Sequence, residues 1–308
     1  MDAFLFRRRH LPRVLSVLTL WAATGAIGQA QPGRGGPDLE DTLARAGARV
    51  EEYFTRAQSL VCTETVRVQQ LNSSLSGDGL GRTVESELRL SWDPAVAGED
   101  PPEAQLHRRV TKINGRRRRE KDKSRCTSAE RHDTETQPLS MLLAGQRDKY
   151  TFKLAKPGRL DNRAAITVEF KELREAVGDI SVAEDDENCL SYRVEGGAQG
   201  RIWIDAESFD VLRLDQRLGY VELKMPEELL RRPGVRPGSM VERFDITTRF
   251  KRVDFSDPDE QLVLPSSSTQ LFITRGGPTA RMRTSITYSG YKRFLTGGRI
   301  VPGALDPR

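Results

Sequence analysis

The chain has 308 residues, of which 30% are charged and 37% hydrophobic, and its formal net charge is +5. This composition excludes a collagen, a coiled coil, a disulfide-dense small scaffold and a wholly disordered chain. A protein with several transmembrane helices is also excluded, because the one sustained apolar run lies near the N-terminus and is shorter than a membrane span. The length allows one large β-rich domain or two small domains.

The first 30 residues have the features of a secretory signal peptide. Arginines up to Arg13 precede an apolar run from Val14 to Ala23, and small residues lead to Ala30. We therefore expect a periplasmic or secreted protein, cleaved near Ala30; an uncleaved membrane anchor is the alternative. Cleavage removes four arginines and one aspartate, which leaves 45 Lys+Arg against 43 Asp+Glu. The mature chain is then almost neutral, so its charge gives no reason to expect nucleic acid.

A helix is predicted next, after a Gly/Pro-rich spacer at 31–37. Asp38 is a candidate N-cap, and apolar residues between Leu39 and Phe54 recur at helical spacing. The pattern predicts one amphipathic helix over 39–58.

Beyond this helix the apolar period changes to two, as in Val84–Trp92 and Ile166–Phe170. Such alternation indicates antiparallel strands with one buried face. Asn114-Gly115 predicts a type I′ hairpin turn. Two short helices are expected over 138–147 and 226–232. We count about eleven strands, which favour a large curved sheet in a single domain over 38–296, followed by a tail at 297–308.

The mature chain has three cysteines, and export permits a disulfide bond. Cys126 and Cys189 lie at the edges of predicted loops, so we expect these two to pair, whereas Cys62 falls on an apolar strand face. Three free thiols are the alternative.

No motif for catalysis, metal binding or a cofactor is present. His107 and His132 belong to no metal-ligand pattern, and the sequence has no nucleophile elbow, phosphate loop or dinucleotide fingerprint. Glu64 shares an apolar strand face, where a paired carboxylate is more common than a catalytic one. We therefore predict a protein that is not an enzyme and that uses no metal or cofactor.

Positive charge is concentrated in residues 108–125, which we call the basic ribbon. It holds ten Lys/Arg against two acidic residues. One interpretation is a surface for lipid headgroups or an acidic partner; the other is a solvated edge hairpin whose charges block strand pairing. The candidate residues are Arg108, Arg109, Arg116, Arg117, Arg118 and Arg119.

Four later segments carry a resemblance to a known group. The chain reads Gly-Arg-Ile-Trp-Ile-Asp at 200–205, followed by Val-Leu-Arg-Leu at 211–214, and strand-like segments cover 262–266 and 288–294. Together they resemble the periplasmic lipoprotein-carrier-like proteins, the LolA/LolB/RseB-like group, over roughly Gly200–Phe294. The chain departs from that group by lacking a lipid-modified cysteine and by carrying the basic ribbon.

The resemblance implies a mainly β (α+β) fold: an unclosed antiparallel β-barrel of about eleven strands. The N-terminal helix and two short helices would cover its concave face, around an apolar cavity. None of the group's ligand-handling residues can be assigned to a position here, and a fold analogy by itself does not establish a function.

We therefore expect an exported binding protein that carries or senses a hydrophobic or lipidated ligand in the cell envelope. Its partners would be an acyl chain, lipid or lipoprotein, or an anionic membrane surface or acidic envelope protein, and not nucleic acid. The alternatives are an envelope interaction module without a small ligand, and a hydrolase of unknown substrate. The candidate ligand-binding residues are Val84, Leu88, Leu90, Trp92, Ile166, Phe170, Phe244, Ile246 and Phe250.

Overall fold

One large, almost entirely antiparallel sheet dominates the part of the chain that the computed structural model describes. That part comprises residues 37–57, 60–92, 104–119, 139–183, 186–231, 238–256, 259–276 and 281–293. Its strands are β1 (Leu60–Gln70), β2 (Arg82–Trp92), β3 (Ala104–Ile113), β4 (Arg116–Arg117), β5 (Tyr150–Leu154), β6 (Gly158–Leu160), β7 (Arg163–Glu172), β8 (Val177–Ala183), β9 (Asp186–Glu195), β10 (Gln199–Asp205), β11 (Val211–Leu218), β12 (Val221–Lys224), β13 (Met240–Ser256), β14 (Asp259–Arg275) and β15 (Arg281–Arg293). Its helices are α1 (Leu39–Arg56), α2 (Glu227–Leu230) and the 3₁₀ helices Ser140–Leu142 and Ala144–Lys149.

The described strands follow the spatial order β4-β3-β2-β1-β15-β14-β13-β11-β10-β7-β5, with β6, β8, β9 and β12 attached beside this path. The first strand therefore pairs with the last, and the two ends of the path stay apart. The predicted fold class, a mainly β unclosed antiparallel barrel with a few helices, is confirmed. The described residues contain fifteen strands, eleven on the main path and four beside it, against the predicted total of about eleven. The sequence pattern does not reveal strands as short as β6 and β12, because three or four residues are too few to show alternation.

Helix α1 begins where the sequence predicts. The Asp38 carboxylate caps it by accepting a hydrogen bond of 2.9 Å from the Asp41 amide, which satisfies one of the free donors of the first turn. Leu43, Val50 and Phe54 are buried on one side of the helix and pack against the sheet. We call the sheet face that carries α1 the inner face and the opposite one the outer face.

Strand register determines which side chains share the inner face. Across the middle of the sheet, directly opposed residues form one continuous row, because paired residues project to the same side. From β2 to β10 this row is Val84, Val66, Ile286, Ser268, Thr248, Leu214 and Ile202.

The shorter predicted elements are also present. Asn114 and Gly115 have φ angles of 49° and 77° between β3 and β4, as a type I′ turn requires. The region predicted as a helix over 138–147 forms the two 3₁₀ helices, and α2 lies within 226–232.

The segment that carries the family resemblance anchors α1. After β10, the backbone turns through Phe209, which has a φ of 62°. The guanidinium of Arg45 lies 3.6 Å from the centre of the Phe209 ring, and Arg49 donates a hydrogen bond of 3.1 Å to the Ser208 carbonyl. This turn therefore positions the helix on the sheet through stacking and hydrogen bonding.

Asp205 organises the same turn. Its carboxylate accepts hydrogen bonds from the Ser208 and Glu207 amides at 2.8 and 3.1 Å and pairs with Arg163 at 2.8 Å. Burial alone would raise the pKa of Asp205, but the two amides, the Ser208 hydroxyl and Arg163 together lower it. The folded state is therefore stabilised by the ionised carboxylate.

We expect Asp205→Asn to lower the free energy of unfolding by about 1–2 kcal/mol at neutral pH, since it removes hydrogen bonds to a charged acceptor. Because the folded pKa lies below the unfolded value, this stabilisation is present above about pH 4 and is lost as the pH falls through the folded pKa. Urea denaturation at several pH values measures the difference, which should shrink in acid. Glu207→Gln, an exposed change in the same turn, is the control and should have little effect.

Gly200 allows β10, β11 and β7 to approach closely. A Cβ atom there would lie 1.9 Å from the Asp215 carbonyl oxygen and 3.0 Å from the Phe170 ring. The backbone would have to move to admit a side chain.

We expect Gly200→Ala to destabilise the protein by about 1–3 kcal/mol through this overlap. Gly219→Ala is the matched control, because a Cβ there meets nothing within 4 Å. Denaturation of both variants measures the contrast, and equal stabilities would contradict the close packing of β10 on β11.

Candidate functional site

The apolar side chains in the described residues form separate clusters rather than one continuous core. The first cluster lies between α1 and strands β7, β10, β11, β13 and β14. Three predicted ligand-binding residues, Ile166, Phe170 and Phe250, are buried in it, and Leu90 packs against it. These three side chains are therefore part of the packed core and are not accessible to a ligand in this conformation.

The second cluster lies on strands β1, β2 and β15. Val84, another predicted ligand-binding residue, is buried there with Val66, Val68 and Ile286. Partly exposed side chains of Val110, Met282 and Tyr288 pack around these four. Leu88, four residues along β2 from Val84 and on the same face, is also buried and opposes Cys62.

The third cluster forms around β8, β12 and α2. Ile180, Val221 and Leu229 are buried in it, and the rings of Phe244 and Phe272 pack against it. These two rings meet edge to face at 5.4 Å, and Tyr192 meets Phe272 in the same way at 5.5 Å. Such contacts fix ring orientation as well as burying area.

A band of polar side chains separates the first cluster from the second on the inner face. Thr248 and Ser268 are buried and oppose each other on β13 and β14, with hydroxyl oxygens 3.4 Å apart. Gln216 and Thr284 are also buried on the neighbouring strands. The band supplies hydroxyl and amide groups that can donate and accept hydrogen bonds.

Four neighbouring side chains form a partly exposed apolar surface that we call the inner patch: Phe244, Ile246, Phe272 and Met282. Phe244 opposes Phe272 across β13 and β14, and Phe272 opposes Met282 across β14 and β15. Ile246 lies one inner-face position along β13 and opposes Gln270. The patch thus connects the second and third clusters and borders the polar band, outside the area where α1 packs.

A buried ion pair lies beyond the second cluster. Arg108 donates to both carboxylate oxygens of Glu64, from Nε at 2.6 Å and Nη2 at 3.1 Å, and the two side chains are only 3% and 1% exposed. Glu64 is therefore the paired carboxylate that its position predicted. Arg108 is one of the predicted headgroup residues, but the structure places its guanidinium inside, against Glu64.

Burial also governs the groups around this pair. It raises the pKa of the Cys62 thiol to about 12, with a further contribution from Glu64, so this free cysteine stays protonated at neutral pH. Burial likewise raises the pKa of Tyr288, which opposes Glu64 across β1 and β15. Glu64 thus pairs with Arg108 and has the uncharged side chains of Cys62 and Tyr288 nearby.

The other predicted basic residues lie at or near the β3–β4 hairpin and are exposed. Arg109 donates to Glu87 at 2.9 Å on the outer face, whereas Arg116, Arg117 and Arg118 have no acidic partner among the described residues. Arg119 is exposed as well.

Behind the hairpin, the outer face holds a depression of about 400 Å³. Its charged lining consists of Glu85, Glu87, Lys112, Arg117 and Lys292. Val61, Thr63, Thr111 and Gly290 contribute to its uncharged lining, together with Cys62 and Ser86.

Some predictions fall outside the described residues. Cys126 and His132 lie in an undescribed segment, and the side chains of Trp92 and Cys189 are not described either, so the Cys126–Cys189 disulfide stays a prediction. In the part of the chain that is described, none of the helices has the length and hydropathy of a membrane span. The same residues contain no group of three or more His, Cys, Asp or Glu that could hold a metal ion.

Comparison with solved structures finds similar folds at low sequence identity. An outer membrane lipoprotein-sorting protein domain from Vibrio parahaemolyticus is 14% identical, with a TM-score of 0.35, covering 82% of this chain and 94% of that one. A LolA superfamily protein from Nitrosomonas europaea is 10% identical, with a TM-score of 0.31 and coverages of 84% and 94%. The MucA/MucB complex from Pseudomonas aeruginosa aligns at 9% identity, a TM-score of 0.20 and coverages of 80% and 93%.

No protein-family model and no curated protein matches the chain. A likeness of fold does not by itself establish a function.

Sequence reasoning found two of the four residues of the inner patch, Phe244 and Ile246, and missed the other two. Met282 alternates with polar residues in its own strand, as Phe244 does, whereas Phe272 lies between Leu271 and Ile273 in an apolar run that gives no alternation signal. A register linking β13, β14 and β15 was needed to place the three side by side. Lys292 was missed because its only signal is charge at the end of a strand.

We expect Arg108→Gln to lower the free energy of unfolding by about 3–5 kcal/mol, because it leaves the Glu64 carboxylate buried without a partner. Urea denaturation measures the loss. The control is Arg109→Gln on the outer face of the same strand, where an exposed pair contributes less than about 1 kcal/mol.

Replacing both partners, as in Glu64→Leu with Arg108→Met, should restore much of the stability, since no charge remains buried. Equal losses from Arg108→Gln and Arg109→Gln would contradict the buried position of Arg108.

Proposed function

We propose that the protein is an exported binding protein of the cell envelope that holds a hydrophobic or lipidated ligand against the inner patch. The observation that carries this proposal is a partly exposed apolar surface on the inner face, formed by Phe244, Ile246, Phe272 and Met282. Clustered apolar side chains left accessible on a concave sheet are typical of ligand-binding surfaces.

The chemistry next to the inner patch suits an amphipathic ligand. An acyl chain on the patch gains about 0.8 kcal/mol for each CH₂ group that leaves water. Gln270 opposes Ile246 and Thr284 opposes Gln270, so amide and hydroxyl groups lie directly beside the apolar side chains. A polar headgroup can hydrogen-bond there while its chain stays on the patch.

The two alternative functions, an interaction module without a small ligand and a hydrolase, are not equally well supported. The first cluster is packed beneath α1, which favours an interaction module for that half of the sheet. A hydrolase that uses Glu64 as a base is disfavoured, because both carboxylate oxygens accept hydrogen bonds from a buried arginine. Export itself is supported by the arginines, apolar run and small residues before Ala30.

We expect Ile246→Ser to weaken binding of an apolar fluorescent probe, N-phenyl-1-naphthylamine, by about tenfold, since it removes apolar area equivalent to roughly 1.4 kcal/mol. Native mass spectrometry of protein purified from the periplasm should show a lipid-sized adduct on the wild type and less on the variant. Leu271→Ser is the matched control, because Leu271 is also partly exposed on β14 but opposes Asp245 on the outer face.

A stability measurement separates lost binding from lost folding. Ile246 belongs to none of the three buried clusters and Leu271 is equally peripheral, so both variants should remain folded. Equal probe affinities for the wild type and both variants would refute the inner patch as a ligand site.

A further inference from the structure

The outer-face depression has an uneven charge balance. Glu85 accepts from Lys112 at 2.7 Å, and Glu87 pairs with both Arg89 and Arg109, at 3.0 and 2.9 Å. The carboxylates in the lining are therefore already matched. Arg89 and Arg109 together supply more positive charge than Glu87 can neutralise.

Two further cations at opposite ends of the depression have no acidic partner among the described residues. Arg117 opposes Lys112 at the β4 end, and Lys292 opposes Val61 at the β15 end. Both side chains line the depression and both are exposed. Both side chains are in contact with solvent. Each could bind a negatively charged group without breaking an existing ion pair.

The spacing of the two cations indicates the kind of partner. Arg117 and Lys292 are separated by four strand spacings, from β4 to β15, or roughly 19 Å at about 4.8 Å per strand. The row through Arg117 reaches β1 at Thr65, whereas Lys292 opposes Val61, four residues or roughly 13 Å along the strand. Their backbones therefore lie roughly 23 Å apart. About seven residues of extended polypeptide cover that distance, at about 3.3 Å per residue. A single phosphate or carboxylate is too small to contact both cations.

The charge pattern also distinguishes a protein segment from a membrane. Glu85 and Glu87 lie between the cations, and a uniformly anionic surface would have to approach these carboxylates. A polypeptide can place acidic side chains at the ends and uncharged ones over the middle. The uncharged residues Thr63 and Gly290 also line the depression, and the backbone of such a segment could lie against them.

We infer that the depression is a docking site for an extended acidic protein segment, held at its two ends by Arg117 and Lys292. Lys112 and Arg109 would add long-range attraction while keeping their own glutamate partners. The site lies on the opposite face of the sheet from the inner patch and does not depend on the ligand proposed for that patch.

The test uses an eight-residue fluorescent peptide of alternating glutamate and threonine, with alternating glutamine and threonine as the uncharged control peptide. Fluorescence anisotropy measures binding to the full-length protein at low and moderate salt. We expect binding of the acidic peptide that weakens as salt rises, and no binding of the control peptide.

The double variant Arg117→Gln/Lys292→Gln should weaken binding of the acidic peptide by about fivefold, since two exposed charge contacts are lost. Arg116→Gln/Arg118→Gln is the control: it removes the same total charge, taken from the hairpin that carries Arg117, but neither residue lines the depression. It should change the affinity less than about twofold.

Vesicles of phosphatidylglycerol test the membrane alternative. Co-sedimentation with these vesicles that falls equally in both double variants, without binding of the acidic peptide, would overturn the inference in favour of a membrane surface. Equal weakening of peptide binding by both double variants would overturn it in favour of non-specific charge attraction. Failure of the wild type to bind the peptide at low salt would also overturn it.

Discussion

A single helix cannot cover the inner face of so wide a sheet, and much of the molecule's organisation follows from this mismatch. Helix α1 has 18 residues and is roughly 27 Å long, whereas the eleven strands of the main path extend over roughly 48 Å. The face under α1 acquires a packed core. On the rest of the inner face, the apolar side chains either pack in the second and third clusters or remain partly exposed in the inner patch. The polar band lies between these groups and the first cluster.

The two faces of the sheet use charge differently. On the outer face, pairs such as Arg201–Glu169 and Arg213–Asp215 are at least partly exposed, and such pairs contribute little stability individually. On the inner face, Glu64 and Arg108 are almost completely removed from water. That pair costs desolvation and therefore depends on its two-point hydrogen bonding. Exposed ion pairs on the outer face thus keep the sheet soluble, whereas the buried pair on the inner face requires one specific arrangement of Glu64 and Arg108.

The sequence predicted the parts of the fold that depend on local chemistry. Asp38 caps α1, and Asn114-Gly115 forms the hairpin turn, because each requirement involves only neighbouring residues. Period-two alternation predicted the strands and placed Phe244 and Ile246 on the inner face. The separation of the apolar residues into clusters depends on which strands become neighbours, and no single segment contains that information.

Arg108 shows why the basic ribbon was partly misread. Simple alternation would place residues 108, 110 and 112 on one face. In the structure, Lys112 opposes Glu85 while Val110 opposes Ser86, so Thr111 is an extra residue in β3. Its hydroxyl donates to the Glu85 carbonyl at 2.9 Å. This bulge reverses the parity of the strand, sending Arg108 and Val110 inward and Lys112 outward, as a β-bulge does.

The pairing of β1 with β15 has a consequence for the order in which the molecule can be built. On one side, strand β1 pairs with β2, which follows it closely in the chain. On the other side it pairs with β15, the last described strand, where Glu64 opposes Tyr288. Closing so long a loop carries a large entropic cost, and such contacts slow folding. A chain emerging N-terminus first can form the β1–β2–β3 meander and pair Glu64 with Arg108 early. Until the C-terminal residues are available, the edge of β1 that later pairs with β15 has unpaired backbone groups and can associate with other strands.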